Sequence, residues 1–175
     1  LRARLQAALD EWRTGANVPG ASLGVVLRNG EAIGLASGLA DRGANRAMTP
    51  DDLLMTGSTG KTFFAAVALQ LIESGTLDLN APIQRYVPSF PAKPQGTITI
   101  GLLMAHLGGI RHYLRDDELD TVRHYDNIAA ALDIFKNDPL VAEPGTKYSY
   151  STYGYNLVGA AVQAASGIPF REYLR

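Results

Sequence analysis

The sequence predicts an α+β fold, in which an N-terminal helix and a β-hairpin of an antiparallel sheet precede a mostly helical stretch. Three observations support this prediction. Apolar residues recur at helical spacing within residues 1–14. Two strand-like runs flank a turn signal, and beyond Pro50 the apolar segments end at glycines in the manner of helices. We therefore expect residues 1–50 to supply the helix and first strands of one lobe, and residues 51–175 to form a mostly helical lobe.

The first lobe is predicted from local signals alone. Residues 1–14 should form an amphipathic helix that Pro19 and Gly20 terminate. Residues 21–27 and 31–38 should pair as antiparallel strands, because Asn29-Gly30 is the strongest signal for a two-residue hairpin turn. Two strands make only a marginal sheet, so we expect further strands to complete it.

The second lobe should contain several helices and one exposed loop. The charged run at residues 115–118 is expected to be a solvated loop. A last helix opens near Pro169, and the sequence stops within it, so we expect the C-terminal strands of the sheet to lie outside these residues. The other predicted helical segments are residues 60–74 ended by Gly75, a short turn from Asp78, a helix capped by Thr99 and running to residue 107, residues 127–136, and residues 154–165 ended by Gly167.

The composition excludes several classes of function. Apolar residues make up 46% of the 175 residues, which is typical of a globular chain. With 16 Lys and Arg against 17 Asp and Glu, the chain lacks the basic excess of a nucleic-acid partner. The absence of cysteine excludes a disulfide framework and a cysteine nucleophile. The three histidines, at 106, 112 and 124, lack metal-ligand spacing, so we expect no metal and no cofactor.

The segment at residues 57–62 fits two different chemistries. Gly60, Lys61 and Thr62 match the end of a nucleotide-binding P-loop, but Met55 stands where the first glycine of that motif is required. Alternatively, Ser58 and Lys61 form an S-x-x-K pair. Residues three apart on a helix share a face, so the lysine amine could reach the serine hydroxyl and act as its base. Ser58 could also be no more than a helix cap.

A second group of candidate site residues lies in the tyrosine-rich run at residues 144–156. A phenol beside a serine–lysine pair can relay a proton to a leaving group. For Tyr148, Tyr153 and Tyr155 we expect ordinary packing, with their hydroxyls at the surface.

Taken together, these segments resemble the serine beta-lactamase-like family, which includes class C beta-lactamases, D-alanyl-D-alanine carboxypeptidases and related serine esterases. The resemblance covers nearly the whole chain and implies an α/β transpeptidase-like fold. Residues 109–113 and 150–152 look most similar to the mitochondrial branch of the family and its bacterial relatives. The matching segments, in the order that the family has them, are residues 48–52, 57–63, 75–79, 98–103, 106–110 and 144–154.

The resemblance implies a role for each site residue. Ser58 would be the acylated nucleophile, Lys61 its base and Tyr150 the tyrosine of the family's Y-x-N motif. Thr152 stands where asparagine is usual and would contact substrate; this departure argues against strong beta-lactamase activity and leaves esterase or peptidase activity open. His106 would have a structural role. We expect His112 to be a surface or packing residue.

We therefore expect a serine hydrolase of periplasmic or secreted bacterial origin, acting on a peptide, ester or lactam carbonyl of a small molecule or peptide. The family's third motif, K-T-G or H-x-G, is expected in a C-terminal remainder that completes the site and supplies a second oxyanion donor. These 175 residues alone should show weak or no turnover. The alternatives are a non-catalytic or assembly-forming member of the same scaffold and a nucleotide binder. Self-association into a homo-oligomer is a further expectation.

Overall fold

Helices and strands both occur in the computed structural model, which describes residues 1–119, 124–125 and 127–175. The described chain divides into two compact units, Leu1–Met55 and Thr56–Arg175. Among the described residues, the helices are all too short or too polar to cross a membrane.

The first unit is a small antiparallel sheet covered by one helix. Helix α1 (Arg2–Gly15) precedes strands β1 (Gly20–Val26), β2 (Ala32–Asp41) and β3 (Arg46–Ala47), which lie in the order β1-β2-β3. The predicted helix and antiparallel strand pair are confirmed, and β3 is an addition that its two residues were too few to signal. The core of this unit consists of Leu9, Ala21, Ile33 and Leu35.

The turn between β1 and β2 differs from the predicted two-residue turn. Leu27 and Glu31 face each other, because the Leu27 amide donates to the Glu31 carbonyl over 2.8 Å. Three residues therefore form the loop, and Gly30 takes the left-handed conformation at φ 84°. Asn29 contributes through its side chain, whose Oδ1 accepts from the Glu31 amide over 3.1 Å. This is the three-residue hairpin that ends in a glycine bulge, and it uses the same Asn-Gly signal.

The second unit is built around one buried helix, α6. Nine of its residues are buried, and α2, α3, α5 and α7 all pack against it. The helices of this unit are α2 (Gly60–Glu73), α3 (Ile100–Met104), α4 (Asp116–Leu119), α5 (Ile128–Leu132), α6 (Thr152–Ser166) and α7 (Phe170–Tyr173), with 3-10 turns at Gly57–Thr59 and Ile83–Arg85.

Side-chain caps explain where three of these helices begin. The predicted Thr99 cap of α3 is confirmed, since its hydroxyl accepts from the Leu102 amide over 3.3 Å. Asn127 caps α5 in the same way. Ser151 caps α6 by accepting from the Gly154 amide over 2.9 Å, so this helix begins two residues before the predicted start. Helix α3 ends at Met104, earlier than predicted.

The charged run at residues 115–118 is exposed as expected at its first three residues, but most of it is helical and its last side chain is buried. Residues Asp116–Leu119 form α4, and the Glu118 side chain is only 9% exposed. Glu118 Oε2 accepts from Arg111 Nη1 over 2.7 Å and from the Tyr153 hydroxyl over 2.8 Å. Arg111, equally buried, also donates to Asp138 over 2.5 Å. The run therefore supplies one half of a buried ion pair, which its local composition does not reveal.

Candidate active site

The serine and lysine of the S-x-x-K motif meet at the start of α2. Ser58 lies in the 3-10 turn that leads into the helix, and Lys61 lies in its first turn. Lys61 Nζ donates to Ser58 Oγ over 3.2 Å. The alternative role of Ser58 as a helix cap is wrong, because Thr59 occupies the N-cap position and no side chain caps it. The P-loop alternative also fails, since residues 52–56 form no strand ahead of the motif.

Tyr150 joins this pair from a position 92 residues further along the chain. Its hydroxyl lies 2.6 Å from Ser58 Oγ. Lys61 Nζ lies 4.9 Å from the centre of the Tyr150 ring. Ser58 Oγ thus contacts both an amine and a phenol, and all three groups are close enough to exchange protons.

The surroundings of Tyr150 favour its ionised form. Burial by itself would raise the pKa of the phenol. Hydrogen bonds with Lys61 and Ser58, together with the positive charge of Lys61, outweigh burial and bring the pKa below that of free tyrosine. The Thr152 side chain adds a further hydrogen bond that acts in the same direction.

Thr152 is placed beside Tyr150 at the first position of α6. Its side chain is half-buried, and it lies near enough to Tyr150 to help lower the pKa of the phenol. Its backbone N–H points to His112 Nδ1 over 3.4 Å. The residue at the position of the expected asparagine therefore lies beside the tyrosine of the site.

Two of the neighbouring tyrosines differ from the expectation that their hydroxyls reach the surface. Tyr153 is 2% exposed and donates to Glu118, and Tyr155 is 8% exposed and donates to the Met104 carbonyl over 3.0 Å. Tyr148 is exposed as expected. The run of tyrosines thus supplies one residue of the site, Tyr150, and two residues that make internal hydrogen bonds, Tyr153 and Tyr155.

His106 contacts the site from the loop after α3. Its backbone has φ 57°, which is unusual for a residue other than glycine. His106 Nδ1 accepts from the Ser151 amide over 3.1 Å, and its carbonyl accepts from the Ser149 amide over 2.8 Å. Its ring lies 4.5 Å from the Tyr150 ring, centre to centre. Nothing in the local sequence signals these contacts, because they depend on how the chain turns after α3.

His112 approaches the same tyrosine from another side. Its ring meets the Tyr150 ring edge-on at 5.3 Å between centres. Burial lowers the pKa of His106 and of His112, and the nearby charge of Lys61 lowers both further. Both imidazoles are therefore held toward the neutral form.

A glycine fixes the turn that carries these histidines. Gly109 has φ 71°, and a Cβ at this position would lie 2.3 Å from the Ala142 carbonyl oxygen. The Gly109 carbonyl in turn accepts from the Val141 amide over 2.9 Å. Only glycine satisfies both the conformation and the close approach.

The arrangement has the parts needed for nucleophilic catalysis, namely a serine hydroxyl in hydrogen-bond contact with an amine and a phenol. Within the described ranges 1–119, 124–125 and 127–175, no group of His, Cys, Asp or Glu could hold a metal ion.

Comparison with known proteins identifies the family of this chain. The family model described as Beta-lactamase matches residues 3–175. The chain is 34% identical to penicillin-binding protein 4 of Amycolatopsis lactamdurans over 99% of its own length and 45% of that protein. It is 33% identical to esterase EstB of Burkholderia gladioli over 97% of its length and 46% of that esterase.

The fold is also shared with solved structures. The D-amino acid amidase of Ochrobactrum anthropi SV3, complexed with L-phenylalanine, superposes with a TM-score of 0.85 and 28% identity, over the whole of this chain and 48% of the amidase. The predicted transpeptidase-like α+β class is thereby confirmed. The chain spans about half the length of the relatives that it matches.

Proposed function

Since the chain belongs to the beta-lactamase family, we propose that it is part of a serine hydrolase that acts through an acyl-enzyme on Ser58. One observation carries the proposal: Ser58 Oγ contacts Lys61 Nζ at 3.2 Å and the Tyr150 hydroxyl at 2.6 Å. A serine hydroxyl is a weak nucleophile without a base, and here a base is within reach.

In the acylation step, Lys61 takes the proton from Ser58 as Oγ bonds to the substrate carbonyl carbon. The carbonyl oxygen becomes an oxyanion, which the backbone N–H of Ser58 would help to stabilise. As the bond to the leaving group breaks, Tyr150 donates its proton to that group. Lys61 keeps the proton that it took from Ser58, and its positive charge stabilises the phenolate left on Tyr150.

In the deacylation step, water replaces the leaving group on the acyl carbon. The Tyr150 phenolate accepts a proton from the water as the water oxygen bonds to that carbon, and the ester bond to Ser58 Oγ breaks. Ser58 recovers its hydroxyl proton from Tyr150, and Lys61 then returns its extra proton to the Tyr150 phenolate, so each group ends in its starting state. The lowered pKa of Tyr150 supports this double use, because a phenol with a pKa nearer neutrality gives and takes protons more readily.

The substrate we propose is a small molecule or peptide with an amide, ester or lactam carbonyl. The names of the relatives support this range, since they include a penicillin-binding protein, an esterase and a D-amino acid amidase. Thr152 would bind the substrate through its hydroxyl, from its place beside Tyr150. Because a hydroxyl has a shorter reach than an asparagine amide, D-Ala-D-Ala carboxypeptidase or esterase activity is favoured over strong beta-lactamase activity.

We further propose that a C-terminal remainder of the protein supplies the third motif and the second oxyanion donor. The half-length coverage of the relatives supports this. Losing one such donor typically costs about 100- to 1000-fold in rate, so these residues alone should turn over slowly if at all. Location outside the cytoplasm of a bacterium and homo-oligomerisation stay expectations.

Covalent labelling of the full-length protein tests the proposal. A fluorophosphonate or penicillin probe should give an adduct visible by intact mass, and peptide mapping should place it on Ser58. Ser58→Ala should abolish the adduct. Ser89→Ala, at an exposed serine of the same unit, is the matched control and should keep it.

Two results would contradict the proposal. One is a folded wild-type protein that forms no adduct; the other is an adduct that survives in Ser58→Ala. If Ser58→Ala also kept full biological activity, the assembly-forming alternative suggested by Thr152 would be favoured.

A further inference from the structure

Tyr150 is flanked by two histidines that the proposed reaction steps do not use. His106 accepts from the backbone N–H of Ser151 over 3.1 Å, and His112 accepts from that of Thr152 over 3.4 Å. Both acceptors are Nδ1 atoms. The two residues that follow Tyr150 are thus each held by an imidazole, and the same two rings contact the Tyr150 ring at 4.5 Å and 5.3 Å between centres.

These contacts require a particular form of each imidazole. Nδ1 can accept a hydrogen bond only when it carries no proton, so each ring must be neutral with its proton on Nε2. Burial and the charge of Lys61 lower the pKa of both rings, which favours that neutral form. The hydrogen bonds and the electrostatics therefore agree.

We propose that His106 and His112 are positioning residues, which hold the Tyr150 hydroxyl against Ser58 through the N–H groups of Ser151 and Thr152. This inference rests on the proposed function, because it assigns the pair a part in acylation. Without these acceptors the Tyr150 segment would lose two of its anchors. A displacement of about 1 Å at a reacting group can cost 100-fold in rate.

His106 carries the larger share of this role. Its contact to Ser151 is shorter than the contact between His112 and Thr152. It also anchors Ser149 through its carbonyl, so it holds the chain on both sides of Tyr150. Its left-handed backbone brings the carbonyl and the ring to the same segment.

Protonation should release both contacts. A proton on Nδ1 would face an N–H group instead of accepting from it. The titratable and charged groups around His106 are Lys61, His112 and the tyrosines 148, 150 and 155. Those around His112 are Lys61, His106, Tyr113, Tyr150 and Arg111, which donates to the His112 carbonyl. None of these is a carboxylate, so nothing among them favours the protonated imidazole. Acylation should therefore fall more steeply with acidification than the titration of one base allows.

The test compares two replacements of His106 in the full-length protein. Asparagine and glycine both tolerate the left-handed backbone, but only asparagine offers an oxygen near the place of Nδ1. We expect His106→Gly to lower the rate of Ser58 acylation by a fluorophosphonate roughly 10- to 100-fold. His106→Asn should lose no more than about threefold, because the acceptor is restored.

The pH profile separates positioning from a merely structural role. On the acid side, the slope of log rate against pH should be about one unit shallower in His106→Asn than in wild type, because the amide does not titrate. His124→Asn, at an exposed histidine, should leave both the rate and the slope unchanged. His112→Asn should flatten the slope in the same way.

The possible results distinguish a failure of the positioning role from a failure of the proposed function. If wild type is acylated but His106→Gly matches His106→Asn in rate, or the acid slope is the same in all variants, the positioning role is overturned and the proposed function stands. If His106→Gly does not fold, the slope of His106→Asn and His112→Asn still decides. If folded wild type is not acylated at all, the proposed function fails and the inference fails with it.

Discussion

Replacing Glu118 by glutamine should destabilise the protein far more than its place in an acidic surface run would indicate. The substitution keeps the shape of the side chain and removes its charge. In the native structure, Glu118 Oε2 accepts three hydrogen bonds, from Arg111, Tyr153 and the Leu114 amide. A glutamine must meet the same donors with one neutral oxygen and an amide group that cannot accept.

The expected size follows from the burial of the pair. Both side chains are 9% exposed, and removing one partner of a buried ion pair usually costs about 3–5 kcal/mol. Arg111 keeps its second partner, Asp138, so the remaining charge is not left alone. We therefore expect a loss of about 2–3 kcal/mol in the free energy of unfolding.

Urea unfolding of the full-length protein, followed by circular dichroism, measures this loss. Asp117→Asn is the matched control, since Asp117 is the adjacent residue and pairs with Arg115 at 2.8 Å while both side chains are about 70% exposed. An exposed pair of this kind should contribute no more than about 0.5 kcal/mol. If Glu118→Gln costs no more than Asp117→Asn, the buried-pair argument is refuted.

The stability difference between wild type and Glu118→Gln should also depend on pH. Burial opposes ionisation of Glu118, but the hydrogen bonds from Arg111 and Tyr153 prevail and lower its pKa in the folded state. A carboxyl with a lowered folded pKa stabilises the fold above its unfolded pKa and loses that contribution as the pH falls through the folded value. The difference between wild type and Glu118→Gln should thus be full at neutral pH and shrink below the ordinary glutamate range. A difference that grows on acidification would contradict the assigned sign.

Two further predictions concern the site itself. Tyr150→Phe should lower the rate of acylation by about 100- to 1000-fold, since it removes the proton relay. The free energy of unfolding should change by less than about 1 kcal/mol, because the ring contacts remain. Labelling kinetics measure the rate and urea unfolding measures the stability; an unchanged rate would remove Tyr150 from the mechanism. Ser151→Ala should cost about 1–2 kcal/mol in unfolding free energy, because its hydroxyl both caps α6 at Gly154 and donates to the Arg111 carbonyl over 2.7 Å; a loss below about 0.5 kcal/mol would show that the cap is dispensable.

Local sequence signals predicted those parts of the fold that local physics decides. Asn29-Gly30 marks a turn wherever it stands between strands, although the number of loop residues depends on how the strands pair. Thr99 begins a helix because its hydroxyl accepts from an amide three residues on. The sequence predicts that helix α6 starts at Gly154, whereas Ser151 caps it and it starts at Thr152; the same hydroxyl donates to the Arg111 carbonyl, 40 residues away, a contact that local signals do not reveal.

The site divides in the same way. The approach of Lys61 to Ser58 follows from helical spacing and was predictable from the motif alone. The contact with Tyr150 spans 92 residues and was expected only through the family resemblance. The contacts of His106 and His112 with the Tyr150 segment were not predicted, because they depend on the left-handed backbone at His106, which no neighbouring residue indicates.

Gly109 has a consequence for variation among relatives. Because a side chain there would collide with the Ala142 carbonyl, a mutational path that replaces this glycine must also reroute the loop that leads from His106 to His112. Loss of the glycine and loss of one or both histidines should therefore occur together in divergent lineages. In related sequences, glycine at position 109 should then accompany the two histidines beside the tyrosine, and its replacement should accompany their loss.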